Sequence, residues 1–280
     1  MRRPETVGII GLGLIGTSLG MALRQQDRSV RVVGMDVEAS AVAVARARGA
    51  ITESAGTFEA FAQAELVVIA VPPAAVVAVA TAVAAVMKPG GVLTDVASTK
   101  AAIVQTLGRV LPPHVHYVGG HPMAGAEGQG AANADPTLFV GRPFVLTPTA
   151  QTNRDALATV SAFVEGLGMH PVVMTPIEHD AQVAQVSHLP YLVAVAVLNA
   201  ASDEALAIGG PTLAAFARIA DSPAALWTQI AHANRTAIVH AVGAFRRELE
   251  ALERSLADGP ALQAHLARAS ERSPLARSEP

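Results

Sequence analysis

The feature of the sequence that constrains the fold most is a glycine-rich turn near the N-terminus. An apolar run at residues 6–10 is followed at once by Gly11-Leu-Gly13-Leu-Ile-Gly16 and then by a helical stretch. With this spacing, the first glycine makes a tight turn, the second lets a pyrophosphate approach the backbone, and the third lets the helix pack against the strand. The pyrophosphate then lies at the helix N-terminus, where N–H groups and the helix dipole favour an anion. The spacing also occurs in unrelated turns, but its position between a strand and a helix predicts a dinucleotide-binding unit.

A carboxylate at the end of the second apolar run supports this interpretation. Asp36 lies about 20 residues beyond Gly16, where such folds place an acid that accepts hydrogen bonds from the adenosine ribose. The same carboxylate would repel a 2′-phosphate, so NAD is favoured over NADP. A role as a turn residue or helix cap is the alternative for Asp36. The other expected cofactor contacts are Leu14, Ile15, Val71 and Pro72.

Strands and helices alternate as far as residue 174. The predicted strands cover residues 6–10, 30–35, 66–71, 91–94, 115–118, 143–146 and 171–174. The predicted helices cover residues 14–26, 38–48, 74–87, 100–109 and 154–165. The strands are nearly continuous apolar runs, which is typical of strands buried on both faces. We therefore predict an α/β fold, with a Rossmann-type, doubly wound, mainly parallel sheet followed by an all-helical C-terminal domain.

The C-terminal part shows helical periodicity only, and the predicted domains are residues 1–174, 175–258 and a polar tail at 259–280 that frays. A long helix is predicted from Ser222-Pro223 to Gly259. Its apolar positions recur at spacings of four and three: Ile238, Val242, Phe245, Leu249, Leu252 and Leu256. Such a seam packs against another helix, in the same chain or in a partner subunit, and the sequence leaves both open.

Composition excludes several classes of function. The chain is 51% apolar and 15% charged with a net charge of −3, so it is neither disordered nor basic enough to indicate a nucleic-acid partner. It has no cysteine, which excludes thiolate chemistry and fits the cytoplasm. The charge-free segment at residues 66–87 is broken by Pro72 and Pro73, so it is interpreted as a strand followed by a helix rather than a membrane span. No HExxH motif points to a metal site.

One histidine has the setting of a catalytic base. Hydride removal from an alcohol carbon needs a base for the hydroxyl proton. His121 lies just past a predicted strand, within Gly119-Gly-His-Pro-Met-Ala-Gly125, where flanking glycines allow a ligand close to the backbone. An exposed loop histidine is the alternative.

Five motifs together resemble the prephenate/arogenate dehydrogenases: "VGIIGLGLIGTSLG", "DVASTK", "GGHPMAGAEGQG", "HDAQVAQVSHLPY" and "ARIADSPAALW". They follow the family order over roughly residues 6–255. The resemblance implies NAD-dependent oxidative decarboxylation of prephenate to 4-hydroxyphenylpyruvate, with arogenate oxidation to tyrosine as the alternative. It also implies a homodimer formed through the helical domain.

The resemblance assigns roles to individual residues. It makes His121 the base that accepts the C4 hydroxyl proton, and Ser98 a second ligand of that hydroxyl. Arg218 would form a bidentate pair with a substrate carboxylate. The remaining substrate-site residues are a gating acid, Glu127, and the pocket residues Ser187, His188 and Trp227. Arg218 as a surface arginine and Trp227 as a core aromatic are the alternatives.

Two positions leave questions open. For Lys100 an electrostatic role near the site is favoured, and the ordinary solvation of a lysine at a helix start is the alternative. Tyr191 follows "SHLP", where some family members carry a histidine that faces the substrate. A tyrosine hydroxyl can still donate a hydrogen bond there. This departure leaves the choice between prephenate and arogenate open.

Two rival functions are weaker. Other Rossmann dehydrogenases with helical C-terminal domains, of the 3-hydroxyacid or pyrroline-carboxylate reductase kinds, lack the pairing of "GGHPMAG" with "ARIADSPAALW". A module that senses NAD(H) without turnover would lack the base or carry a DNA-binding appendage, and neither is seen in the sequence.

Overall fold

The computed structural model describes residues 4–125 and 128–277, and its sheet has eight strands. These are β1 (Thr6–Ile10), β2 (Arg31–Met35), β3 (Glu53–Ser54), β4 (Leu66–Ile69), β5 (Val92–Asp95), β6 (His116–Pro122), β7 (Pro143–Thr147) and β8 (His170–Val173). The strand order is β3-β2-β1-β4-β5-β6-β7-β8. Only β6 and β7 pair antiparallel among the described strands. The predicted doubly wound, mainly parallel sheet is confirmed.

Five helices connect the strands, and the rest of the chain is helical. The first group is α1 (Leu14–Gln26), α2 (Ala39–Ala47), α3 (Pro73–Ala84), α4 (Ala101–Val110) and α5 (Arg154–Gly166). The second group is α6 (Pro176–Val183), a π-helical turn (Ala184–His188), α7 (Leu189–Ala200), α8 (Asp203–Ala207), α9 (Pro211–Ala220), α10 (Ala224–Ala233), α11 (Arg235–Ser255) and α12 (Gly259–Arg277). Short 3-10 turns cover Phe58–Phe61 and Ala131–Asn133.

The central strand β4 shows why these apolar runs form a sheet covered on both faces. All four of its side chains are buried. Leu66 and Val68 pack in one apolar cluster, whereas Val67 and Ile69 pack in a second. Alternate residues of a strand point to opposite faces, so each face of the sheet has its own core. Full burial of one such side chain stabilises the fold by about 1.5–3 kcal/mol.

Strand β6 is longer than the sequence predicts. The prediction that His121 lies in a loop past the strand is wrong, because β6 continues through Pro122. The extension pairs antiparallel with β7, and His121 lies opposite Val145. The catalytic candidate is therefore held by a strand, which fixes its backbone more firmly than a loop would.

The predicted single helix from Ser222 to Gly259 is also wrong. The helix is interrupted at Asn234, whose backbone leaves helical geometry (φ −112°, ψ 27°). The Asn234 side chain is buried, with Nδ2 3.3 Å from Nδ1 of His188. The apolar seam named from the sequence begins at Ile238, after this break, so it does not reveal the break.

The C-terminal segment expected to fray is helical in the described residues. Asp258 accepts a hydrogen bond from the Ala261 N–H at 3.2 Å and caps the start of α12. Glu248 on α11 contacts both His265 and Arg268 on α12, at 2.8 and 2.6 Å. These polar contacts link the two helices where few apolar side chains are available.

The chain forms two compact units that interleave along the sequence. The first comprises Met1–Asp180 and Thr228–Ala233, and the second comprises Ala181–Trp227 and Asn234–Pro280. The predicted domain boundaries after residues 174 and 258 stay predictions. Among the described residues, one helical run, Pro176–Ala200, is long and apolar enough to cross a membrane. Core helices of soluble proteins meet the same criterion, whereas the charge-free segment at residues 66–87 forms β4 and α3.

Candidate active site

The glycine turn between β1 and α1 has the geometry that a dinucleotide requires. Gly11 has a φ of 95°, and a Cβ there would lie 2.4 Å from the carbonyl oxygen of Ala70. A Cβ on Gly16 would lie 1.9 Å from the carbonyl oxygen of Gly11. Gly13 is different, since a Cβ there would meet nothing within 4 Å. The first and third glycines are therefore needed for packing, while the second leaves open backbone for a phosphate.

Asp36 links this turn to the end of β2. Its Oδ2 accepts a hydrogen bond from the Leu12 N–H at 2.6 Å, and its Oδ1 accepts one from Glu38 N–H at 2.9 Å. An ionised carboxylate has about four acceptor positions, so two donors leave capacity for ribose hydroxyls. The turn role and the proposed ribose role of Asp36 are therefore compatible.

The other expected cofactor contacts lie around the same turn. Leu14 and Ile15 are the first residues of α1 and are half-buried. Val71 and Pro72 follow β4, and Pro72 is the N-cap of α3. These positions fit NAD, because the first-turn N–H groups of an α-helix lack intrahelical partners and favour an anion.

Asp95, at the end of β5, connects several elements through its buried carboxylate. It accepts hydrogen bonds from the Tyr117 hydroxyl and the Gly120 N–H, both at 3.0 Å. It also forms an ion pair with the Lys100 ammonium. The Gly120 contact places the β5–α4 turn against β6 one residue before His121. Burial, together with the nearby Asp95 charge, raises the pKa of Tyr117 well above its usual value and keeps the hydroxyl a donor.

Lys100 is fully buried, so the solvated helix-start lysine considered from the sequence is wrong. Burial lowers the pKa of Lys100, while the charges of Asp95 and Asp180 oppose that change. Its predicted electrostatic role near the substrate stays a prediction. Ser98 is half-buried in the same turn, two residues earlier.

Asp180, in the middle of α6, caps the start of α4. Its two oxygens accept hydrogen bonds from the N–H groups of Lys100 and Ala101, at 2.7 and 2.9 Å. Burial disfavours the charged form of Asp180. Hydrogen bonds from His179 and from the two backbone N–H groups outweigh it and lower the pKa.

His121 is joined to this carboxylate through a second histidine. Nδ1 of His121 lies 2.8 Å from Nε2 of His179, and the two rings meet edge to face. Nδ1 of His179 lies 2.8 Å from Oδ1 of Asp180. Sequence reasoning did not single out His179 or Asp180. The adjacent His-Asp pair in "HDAQVAQVSHLPY" is the one local feature that distinguishes them, and it does not indicate a contact with His121.

The second unit brings together a different set of candidates. Ser187 and His188 lie in the π-helical turn, an irregularity that is frequent at functional sites. Tyr191 stacks on Trp227 with ring centroids 3.6 Å apart, and His188 meets the same indole edge to face at 5.9 Å. Three of the four predicted pocket residues of this unit therefore form one aromatic cluster.

The two remaining candidates for the substrate site are Arg218 and Glu127. Arg218 is exposed in the last turn of α9. Glu127, the expected gating acid, lies outside the described residues.

Comparisons with known protein families identify the class. The family described as "Prephenate dehydrogenase, nucleotide-binding domain" matches residues 19–173. The one described as "Prephenate dehydrogenase, dimerization domain" matches residues 175–268.

Individual relatives agree with this assignment. A prephenate dehydrogenase of Bacillus subtilis is 30% identical over 256 residues, which is 88% of this chain and 68% of that protein. A cyclohexadienyl dehydrogenase of Zymomonas mobilis is 31% identical and covers 92% of both chains. The crystal structure of prephenate dehydrogenase from A. aeolicus, in complex with hydroxyphenyl propionate and NAD+, superposes with a TM-score of 0.89 at 27% identity, covering 96% of this chain and 97% of that one. The chain therefore belongs to the prephenate dehydrogenase family and is an NAD-dependent oxidoreductase.

Proposed function

We propose that this chain oxidatively decarboxylates prephenate to 4-hydroxyphenylpyruvate with NAD, in tyrosine biosynthesis. The observation that carries the proposal is the His121 ring, hydrogen-bonded to the buried His179–Asp180 pair on a Rossmann sheet. Arogenate dehydrogenation to tyrosine is the second candidate. Tyr191 leaves this choice open, and the chain is similar to a cyclohexadienyl dehydrogenase as well as to prephenate dehydrogenases.

The reaction needs a base and an orienting site more than it needs a strong driving interaction. NAD, when bound, supplies the acceptor for the hydride that leaves C4 of the ring. The C4 hydroxyl proton goes to Nε2 of His121, and Ser98 holds the hydroxyl oxygen in place. The bond between C1 and its carboxylate breaks, CO₂ leaves, and the electron pair enters the ring, which becomes aromatic. The proton held on His121 then returns to the C4 oxygen and gives the phenol. The protein's contribution is chiefly orientation and proton removal.

We propose that the residues named by the family resemblance in the helical part of the chain take part in substrate recognition. Arg218 would bind a carboxylate through its guanidinium fork. Ser187, His188, Tyr191 and Trp227 would bind the ring, and Glu127 would be the gating acid that the family resemblance implies. Arg218→Ala is expected to raise the Michaelis constant roughly 10- to 100-fold, the scale of a lost charged hydrogen bond of about 1.5–3 kcal/mol. Arg218→Lys is the matched control and should recover only part of the loss, because an ammonium cannot form the bidentate pair. An unchanged Michaelis constant in Arg218→Ala would remove this residue from the site.

The test of the function is a steady-state assay of cofactor reduction. Prephenate and L-arogenate are each offered with NAD and with NADP. Turnover of prephenate with NAD supports the main proposal, and turnover of arogenate alone supports the second. Folded protein that binds NAD but turns over neither substrate would refute both.

The role of His121 has its own test. His121→Asn should bind NAD normally and lose about 10²–10⁴-fold in turnover, the range for a general base. The matched control is His116→Asn, which changes a histidine at the other end of β6 and should keep normal turnover. Near-normal turnover in His121→Asn would exclude it as the base.

We also propose a homodimer formed through the helical unit. Apolar side chains of α11 remain exposed on the single chain, including Leu249 at 52%. Leu256, just beyond the helix, is 67% exposed. Such faces commonly pack against a partner, and a dimerization-domain family matches residues 175–268. Light scattering should give twice the mass of one chain, and Leu249→Asp should lower it. A wild-type mass of one chain would refute the dimer.

We further propose that the enzyme works in the cytoplasm on its small-molecule substrate, without a nucleic-acid or membrane partner. The net charge of −3 provides no excess of cations for phosphate backbones. Cell fractionation checks the location. Recovery of the activity in the membrane fraction would contradict it.

A further inference from the structure

We infer that His179 and Asp180 are positioning residues that hold His121 in the tautomer whose lone pair lies on Nε2. The inference rests on the proposed function, because it assigns a purpose to the base that the reaction requires. It concerns two residues to which the family resemblance gave no role.

The hydrogen-bond order follows from counting protons. An ionised carboxylate only accepts, so Nδ1 of His179 must carry the hydrogen that meets Asp180 at 2.8 Å. A neutral imidazole carries one N–H, so Nε2 of His179 then holds a lone pair. The contact of 2.8 Å between this atom and Nδ1 of His121 therefore requires the hydrogen on His121. Nε2 of His121 is left as the basic nitrogen.

The reverse order would place lone pairs against each other. It would require an Nδ1 lone pair on His179 facing an ionised carboxylate, or a protonated Asp180. Protonation of Asp180 is disfavoured, because its oxygens already accept the N–H groups of Lys100 and Ala101. A doubly protonated His179 would add a charge at a fully buried position. Asp180 thus sets the direction of the hydrogen bonds that run from His121 through His179.

Neighbouring ionisable groups do not replace Asp180 in this arrangement. The Lys100 ammonium and the Tyr117 hydroxyl both bond with Asp95. The carboxylate of Asp180 is the acceptor that His179 contacts. When His121 takes the substrate proton, its Nδ1–H still donates to His179, so no proton has to pass further.

The arrangement parallels the role of the aspartate in a serine-protease triad, where the acid fixes the tautomer of the base without taking its proton. In this chain, a second imidazole lies between acid and base. Because the His179 imidazole spans the distance, Asp180, which also caps α4, can orient His121 on β6.

The first experiment needs no substrate. ¹⁵N NMR of histidine-labelled apoprotein distinguishes protonated from unprotonated ring nitrogens, and His121 is assigned by its absence from the His121→Asn spectrum. The inference predicts neutral His121 with hydrogen on Nδ1 and none on Nε2. Hydrogen on Nε2 in the wild type would overturn it. This result stands whether or not the protein turns over prephenate, so it separates the inference from the proposed function.

The second experiment separates positioning from a general packing role. His179→Asn keeps a donor near Asp180 but no longer reaches His121, whereas His179→Gln places an amide oxygen where Nε2 was. We expect His179→Asn to lower kcat by about 10²-fold with Michaelis constants within about threefold, on the scale of a misaligned base. His179→Gln should recover at least part of that loss. Wild-type kcat in His179→Asn, or equal losses in both variants, would overturn the inference.

Discussion

Replacing Lys100 by methionine tests whether this residue acts on the substrate or holds the site together. The side chain is fully buried, and its ammonium forms an ion pair with Asp95. Methionine has nearly the same length and keeps the apolar contacts of the lysine stem. The substitution therefore removes the charge and little else.

The expected loss in the free energy of unfolding depends on the hydrogen-bond partners that Asp95 keeps in this variant. Removing one partner of a buried ion pair costs about 3–5 kcal/mol, because the other charge stays buried without compensation. Asp95 would keep the Tyr117 hydroxyl and the Gly120 N–H, both at 3.0 Å. These donors place the expected loss at the lower end, about 3 kcal/mol in the free energy of unfolding.

Urea unfolding followed by circular dichroism measures the effect. Fluorescence is less suitable, because Trp227 belongs to the second unit while Lys100 belongs to the first. The matched control is Lys88→Met, which changes the only other lysine of the sequence and should alter stability by less than about 0.5 kcal/mol. Wild-type stability in Lys100→Met, together with a raised Michaelis constant for prephenate, would refute the buried ion pair and favour direct substrate contact.

Three further predictions follow from the same geometry. Gly16→Ala should prevent stable folding, since its Cβ would lie 1.9 Å from the Gly11 carbonyl oxygen, whereas Gly13→Ala should fold normally and bind NAD at least about tenfold more weakly. Thermal melts and NAD titration check the pair, and normal NAD binding by Gly13→Ala would contradict the open-backbone argument. Asp36→Asn should weaken NAD use about tenfold and raise the NADP-to-NAD ratio of kcat/KM, because the repulsion of a 2′-phosphate is removed; an unchanged ratio would exclude this role. Asp180 has a lowered pKa when folded, so its ionised form stabilises the fold above the unfolded value of about 4, and that contribution is lost as pH falls through the folded pKa. Asp180→Asn should therefore cost about 1.5–3 kcal/mol at pH 7 and progressively less below pH 4, as measured by urea unfolding across pH; a cost independent of pH would contradict this.

The first unit was largely predictable because its signals are local. Strand β1, the glycine turn and α1 are adjacent in sequence, and helix α1 has the predicted bounds of Leu14–Gln26. The C-terminal limit of β6 was not predictable, since Gly119, Gly120 and Pro122 are typical of loops. Pairing with β7 overrides that tendency, and such pairing depends on residues more than 20 positions away in the chain.

The partners of the catalytic candidate could not be predicted for a related reason. His179 lies 58 residues from His121, and only the folded chain joins their rings. Lys100 and Asp95 are five residues apart, but lysine is seldom fully buried, so a solvated side chain stayed open as an alternative to the favoured electrostatic role. The stacking of Tyr191 on Trp227 likewise depends on how helices pack, although both residues were singled out by the resemblance.

Three carboxylates of the first unit share one arrangement, and it bears on how the site works. Asp36 binds the Leu12 N–H, Asp95 binds the Gly120 N–H, and Asp180 binds the N–H groups that begin α4. Each acid therefore holds a backbone segment that carries candidate site residues, through hydrogen bonds made within the chain itself. A backbone held by such bonds loses less conformational entropy when substrate and cofactor bind. Because hydride transfer depends on alignment more than on driving force, these fixed segments supply what the reaction most requires from the protein.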